Sequence, residues 1–120
     1  MTQARLSLGK QGEEIAARFL QERGCSIVAR NYRTPVGELD LIASDSQHLL
    51  FIEVKTRRGT LFGGPAEAVG ARKQRQIIRA AQWYLGSCRQ PRLQPRFDVI
   101  GVMIGVEAPV ITHIPDAFGL

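Results

Sequence analysis

The 120-residue chain predicts an α/β domain, a mixed β-sheet flanked by helices in the order α-β-β-β-α-β-β. Three observations carry this. Two stretches, from about Leu8 to Arg23 and from Pro65 to about Leu85, repeat apolar residues at the helical period. Between them lie short runs that alternate at period two, as half-buried strands do. Beyond the second helix, Phe97 to Val106 is almost wholly apolar after Asp98, the pattern of a central strand covered on both faces.

One domain over residues 1–120 is expected at this length. The apolar fraction of 44% suits a soluble globular protein. No apolar run approaches the roughly 20 residues that span a bilayer, and the N-terminus carries no signal-peptide core. A cytoplasmic protein without a membrane partner is the expectation. Between Lys55 and Arg96 ten Lys or Arg face one acid, Glu67, within a formal net charge of +5. A basic half beside an acidic cluster suits a polyanion, and it equally suits a solvated surface. Cys25 and Cys88 have neither CxxC nor Cys/His spacing, so core thiols are expected rather than zinc or a disulfide framework.

In the first helix Leu8, Gly12, Ile15, Ala16, Phe19 and Leu20 occupy one arc. Glu13 falls at the margin of that arc and Glu14 points away. Glu13 is thus the half-buried acid, although a favourable charge near the helix N-terminus explains it as well. Gly24 ends the helix at the usual C′ position. Ser26 to Asn31 reads as the first strand and Tyr32 to Val36 as a loop.

Gly37 to Ile42 and Phe51 to Val54-Lys55 read as two paired strands joined by a polar turn that contains or borders His48, an exposed loop residue. Along the first, Glu38, Asp40 and Ile42 share one face and Leu39, Leu41 and Ala43 the other. A turn symmetric about Ser46-Gln47 sets Asp40 across from Glu53 and Glu38 across from Lys55, with Cβ atoms roughly 5 Å apart. Two converging carboxylates repel unless a cation lies between them, and oxygen donors of this kind suit Mg²⁺ or Mn²⁺. Asp40 and Glu53 would then be ligands, the Val54 carbonyl an extra one, and Lys55 the group that orients water or stabilises charge in phosphodiester hydrolysis. The same side chains could instead form a salt-bridge cluster, Glu38–Lys55 and Lys55–Asp40, that needs no metal.

Residues 56–65 are basic and glycine-rich, with Arg57 and Arg58 at the base of what reads as a mobile loop. It is no P-loop, because the Gly-Lys-Ser/Thr ending is missing. An arm over a bound nucleic-acid backbone is the functional reading, a plain surface loop the other. Pro65 at N1 and Glu67 in the first turn open the second helix. Its apolar face is Ile77, Ile78, Ala81, Tyr84 and Leu85. Arg72, Arg75 and Arg79 line the opposite face with Trp83 among them, and Lys73 sits on the border, within reach of the carboxylates. Guanidinium groups pair with phosphates and an exposed ring stacks on bases, so this face suits nucleic acid. A solvated surface with Trp83 packed under a loop is the competing reading. Residues 86–95 form a linker, Pro109 to Ile114 a short last strand, and 115–120 an irregular cap.

Asp40, twelve intervening residues and Glu53-Val54-Lys55 resemble the PD-(D/E)xK signature of restriction-endonuclease-like folds. The whole chain resembles the YraN-like family of small bacterial proteins. The matching pieces are Gly9-Lys10-Gln11-Gly12-Glu13, Arg30-Asn31-Tyr32-Arg33, Gly37-Glu38-Leu39-Asp40-Leu41-Ile42, Phe51-Ile52-Glu53-Val54-Lys55-Thr56-Arg57, Phe62-Gly63-Gly64-Pro65, Lys73, Arg96-Phe97-Asp98-Val99 and Asp116-Ala117-Phe118. Archaeal Holliday-junction resolvases are similar in layout. That resemblance implies Glu13 as the helical acid, Asp40 and Glu53 as metal ligands, and Lys55 as catalytic base or stabiliser. One departure is Gly-Glu-Leu-Asp where the signature has Pro-Asp, which leaves Glu38 as an added ligand or a neutraliser of Lys55. The expected function is a Mg²⁺- or Mn²⁺-dependent DNA endonuclease acting on branched or single-stranded DNA in recombination or repair, and a homodimer is compatible with it. The alternative is an inert nucleic-acid-binding module, accessory to a helicase or recombination factor.

Overall fold

A computed structural model describes residues 7–59, 69–87 and 92–119 of the protein. The element order is the expected one: α1 (Leu8–Glu22), β1 (Ser26–Thr34), β2 (Gly37–Ser44), β3 (His48–Arg58), α2 (Ala71–Ser87), β4 (Gln94–Ile104) and β5 (Val110–Phe118). The five strands form one sheet in the order β1-β2-β3-β4-β5. Only β3 and β4 run parallel, joined through α2, and the other neighbours are antiparallel hairpins. The sheet is therefore mixed, with its most buried strands in the middle.

Each helix covers one face. Ala16, Ala17 and Leu20 of α1 pack on Leu41, Leu50, Ile52 and Ile100. Ile77, Ala80 and Ala81 of α2 pack on Leu39, Ile42, Phe51 and Phe97 from the other side. Two glycines let the helices approach closely. A Cβ on Gly12 would fall 2.8 Å from the Cβ of Thr56 in β3. Gly37, at φ +156°, would place a Cβ 3.1 Å from the Gln76 carbonyl oxygen of α2. Any larger residue would lift a helix off the sheet near the acids.

Several boundaries differ from those expected. β1 continues to Thr34, because residues 32–34 find partners in β2, and the loop shrinks to Pro35 and Val36. β3 continues through Arg58, held by parallel pairing to Ile104, so Arg57 and Arg58 lie on a strand end and not in a loop. The rest of that supposed loop, residues 60–65, lies outside the described residues. α2 starts at Ala71, not Pro65: Val69 and Gly70 are not helical, and the Gly70 carbonyl accepts the first helical bond from Gln74 N–H at 2.9 Å. Gly70 has the low helix propensity that sets such a boundary. Pro65 and Glu67 lie outside the described residues, as does Cys88. β4 begins at Gln94, and β5 runs to Phe118 where a cap was expected.

Candidate metal and nucleic-acid site

The β2–β3 register is the expected one, with Leu41 opposite Ile52 and Ile42 opposite Phe51. The ladder stops at Leu41, one residue short of the acids. There the Val54 amide N–H donates to Asp40 Oδ2 at 2.8 Å, so a carboxylate takes the place of a backbone partner. The face assignment fails at the same point. Leu39 packs on the α2 side with Ile42, while Leu41 packs on the α1 side. Strict alternation would have kept Leu39 with Leu41. β1 changes face in step, because Ala29 and Tyr32 both lie on the α2 side and Asn31 between them sits at φ +50°. Asp40 lies opposite this change, between the Leu39–Tyr32 and Leu41–Arg30 pairs, which keep one register.

Asp40 and Glu53 do meet. Glu53 is 5% exposed, and the two carboxyl groups stand close enough to shift each other's protonation. Burial and the Asp40 charge push Glu53 up to about 7. Burial also raises Asp40, although the Val54 amide opposes it. Glu13 approaches from α1, where burial and then the Asp40 charge raise it against the bond from Asn31. Asn31 Nδ2 donates to Glu13 Oε1 at 3.1 Å, and Lys10 lies 3.8 Å from the same oxygen. Lys73 reaches in from the first turn of α2, its Nζ 3.8 Å from Glu53 Oε2. Lys55, two residues from Glu53 on the same strand, is near enough for its charge to lower the Glu53 carboxyl.

The alternative cluster of cross-strand salt bridges does not form among the described residues. Glu38 pairs with Arg33 across the β1–β2 hairpin, Nε to Oε2 at 3.0 Å, because the strand edge offers it a closer cation on the solvent side. Lys55 makes no ion pair with Glu38 or Asp40 among the described residues. The Val54 side chain belongs to the α1-side core and its amide serves Asp40. Among the described residues no three acids, imidazoles or thiols converge as a closed cage. A buried and a half-buried carboxylate with an exposed rim fit Mg²⁺ or Mn²⁺, which bind through one or two carboxylates and keep several waters. They do not fit a zinc cage.

The cations form an exposed border. Arg57 and Arg58 end β3, and Arg72, Lys73, Arg75 and Arg79 are exposed along α2. Trp83 is 50% exposed on the same helix, so it is not packed away. His48 begins β3, and its amide donates to Asp45 Oδ1 at 2.6 Å within the turn. Cys25 is a half-buried thiol that burial pushes up.

Sequence reasoning missed one buried cluster. Asp98 of β4 is wholly buried. It accepts two bonds from Arg96, at 2.9 and 2.8 Å, one from the Asp116 amide at 3.0 Å, and has His113 Nε2 at 2.7 Å. Burial alone would raise its carboxyl, but these donors outweigh burial and hold it at about 2. The signal was present: an acid inside an apolar strand must be paired. Asn31 was missed as well, since nothing local marks an asparagine in a strand as the partner of a helical glutamate.

Comparison with known proteins agrees with this architecture. A UPF0102 protein of Syntrophotalea carbinolica is 58% identical over 118 residues, covering 98% of this chain and 96% of its own. One from Rhodococcus jostii is 50% identical over 115 residues, covering 94% and 97%, and one from Caldanaerobacter subterraneus is 41% identical over 115 residues, covering 93% and 94%. Among solved structures, Archaeoglobus fulgidus Hjc, described as a Holliday junction resolvase from an archaeal hyperthermophile, superposes with a TM-score of 0.54. The match covers 91% of this chain and 73% of that one at 19% identity, a likeness of fold. A model of the family described as "Uncharacterised protein family UPF0102" matches residues 12–102, from α1 into β4. This chain belongs to the UPF0102, or YraN-like, family.

Proposed function

We propose that this protein is a Mg²⁺- or Mn²⁺-dependent endonuclease that hydrolyses phosphodiester bonds in branched or partly single-stranded DNA, with a role in recombination or repair. One observation carries the proposal: half-buried Asp40 and buried Glu53 face each other where the β2–β3 ladder opens, and burial raises both carboxyls. Such a pair is at ease only with a shared proton or a shared cation. A bound divalent ion would supply charge neutralisation of phosphate and activation of water. Asp40 and Glu53, with the Val54 carbonyl, would hold it. Lys55 would orient the attacking water and stabilise charge on the phosphate, and Glu13 would accept a hydrogen bond from water at the α1 side. Arg57, Arg58, Arg72, Lys73, Arg75 and Arg79 would hold the phosphate backbone. The fold shared with a resolvase supports this reading, although function rests on the site.

The test is cleavage of linear, flapped and four-way DNAs with and without Mn²⁺. Asp40→Ala should abolish cleavage and keep binding. Persistent cleavage by that variant would mean a contaminating nuclease. A second reading, an inert nucleic-acid-binding module, is favoured by the Lys73–Glu53 ion pair, which neutralises the acids without a metal. Calorimetry showing no Mn²⁺ binding would select it.

A further inference from the structure

α2 carries no acid in its 17 residues. Its buried side is narrow, with Ile77, Ala80 and Ala81 inside, and Tyr84 turned inward against Tyr32 and Phe51 at ring distances of 5.2 and 6.0 Å. On the solvent side Arg72, Arg75, Arg79 and Trp83 fall within about 80° of arc at the helical period. None of the three arginines forms an ion pair with a described residue. The indole is half exposed and stacks on no described ring. The stripe begins beside the acid pair, because Lys73 of the first turn touches Glu53.

We infer that the Arg75–Arg79–Trp83 stripe is a track for an unpaired strand, with Trp83 as a platform on which one base stacks. This rests on the nucleic-acid reading of the site and narrows its substrate class. Charge complementarity selects a polyanion: three guanidinium groups without an ion pair among the described residues line one face, with no acid on the helix itself. The ring selects an unpaired strand, since bases in a duplex have both faces occupied by their own stack, whereas a free base stacks on any exposed aromatic. From Lys73 to Trp83 is about 15 Å along the helix, the length of about four stacked nucleotides at about 3.4 Å each. A single-stranded arm entering the site would thus lie over the arginines and deliver a base to the indole. A substrate with a duplex on this side would leave Trp83 unused.

Trp83 is the chain's single tryptophan, so its fluorescence reports this face alone. Full-length protein in EDTA, where hydrolysis is excluded, is titrated with a thymine oligonucleotide of about 12 nucleotides and with a blunt duplex of equal length. The expected result is saturable quenching by the single strand and little by the duplex. By anisotropy, Trp83→Ala should weaken single-strand binding roughly ten-fold and leave duplex binding unchanged, while Trp83→Phe restores most of the loss. Arg79→Ala should weaken both. Equal quenching by duplex, binding without quenching, or unchanged affinity of a folded Trp83→Ala variant would overturn the inference. So would an emission shift that follows protein concentration without DNA, which would mean that a second copy covers the face. Quenching with no cleavage under any metal would sink the endonuclease reading and leave this one standing.

Discussion

Asn31 in β1 holds Glu13 in α1, its amide donating at 3.1 Å from a backbone at φ +50°. An asparagine tolerates this left-handed conformation where most residues lose about 1 kcal/mol or more. The conformation turns β1 by one residue opposite Asp40, so strain and acid placement are two sides of one feature. Asn31→Gly should lose only the hydrogen bond, at about 1 kcal/mol. Asn31→Ala should lose the bond and add the backbone cost, for about 2 kcal/mol together. Urea melts of the two variants measure the difference. Equal stabilities would show that the backbone at Asn31 is unstrained.

Two glycines on one helix should behave oppositely. Gly9 has open space around a would-be Cβ, so Gly9→Ala should stabilise α1 by about 0.5–1 kcal/mol. Gly12 faces Thr56, and Gly12→Ala should cost about 1–3 kcal/mol through overpacking. If the contact is the cause, Thr56→Gly in the Gly12→Ala background should recover part of the loss. A double-mutant cycle with no coupling between the sites would refute the close approach as the reason for glycine.

Residue patterns carried the architecture and the register, because hydrophobic period and turn position both act locally. Leu41 opposite Ile52 needed only a symmetric turn. The facing of Leu39 was not legible, since it depends on a change of face shared by Asn31 and Asp40 on two strands. The partner of Glu38 was misread for a related reason. Pairing across β2–β3 was extended past the point where Asp40 opens the ladder, while β1 supplied Arg33 on the other side. Asp98 was quoted as part of a motif, yet its donors come from positions 96, 113 and 116, and no spacing rule joins them.

The Asp98 cluster should add an acid-sensitive contribution to the stability of the fold. Its carboxyl lies at about 2, below the ordinary 3.8. A depressed acid stabilises the fold above the unfolded value, and that stability is lost as pH falls through the folded one. About 2 kcal/mol should therefore be present above about pH 4 and gone near pH 2. Asp98→Asn should be destabilised at neutral pH, with the gap from wild type closing in acid. Parallel stability profiles down to about pH 2 would contradict the network's role.

Glu53 gives the opposite slope. In metal-free protein its carboxyl is raised to about 7 from an ordinary 4.5. The folded state then holds a proton that the unfolded chain has released between those values, so stability falls as pH rises through the window and levels off above it. Glu53→Gln cannot ionise. It should flatten that slope and exceed wild type in stability above neutrality by roughly 1–3 kcal/mol. Denaturation of both proteins in chelator from about pH 5 to 8 tests this, and a wild-type curve without the downward slope would count against the acid pair.

Lys73 distinguishes a cation site from a self-contained ion cluster. Its ammonium stands 3.8 Å from Glu53 and is about half exposed, so it would repel any divalent ion entering between Asp40 and Glu53. Under the proposed endonuclease reading, Lys73→Gln should tighten Mg²⁺ binding several-fold and weaken DNA binding by the loss of one phosphate contact. The comparison belongs near pH 8.5, because removing Lys73 also raises Glu53, and proton competition at lower pH would mask the gain. At that pH proton competition is smallest in both proteins, and the difference reports chiefly the ammonium. Calorimetric titrations at low salt read it directly. If Lys73 instead completes a metal-free cluster, the wild type should bind no Mg²⁺, and Lys73→Gln should lose stability as pH rises while the two acids are left to repel each other.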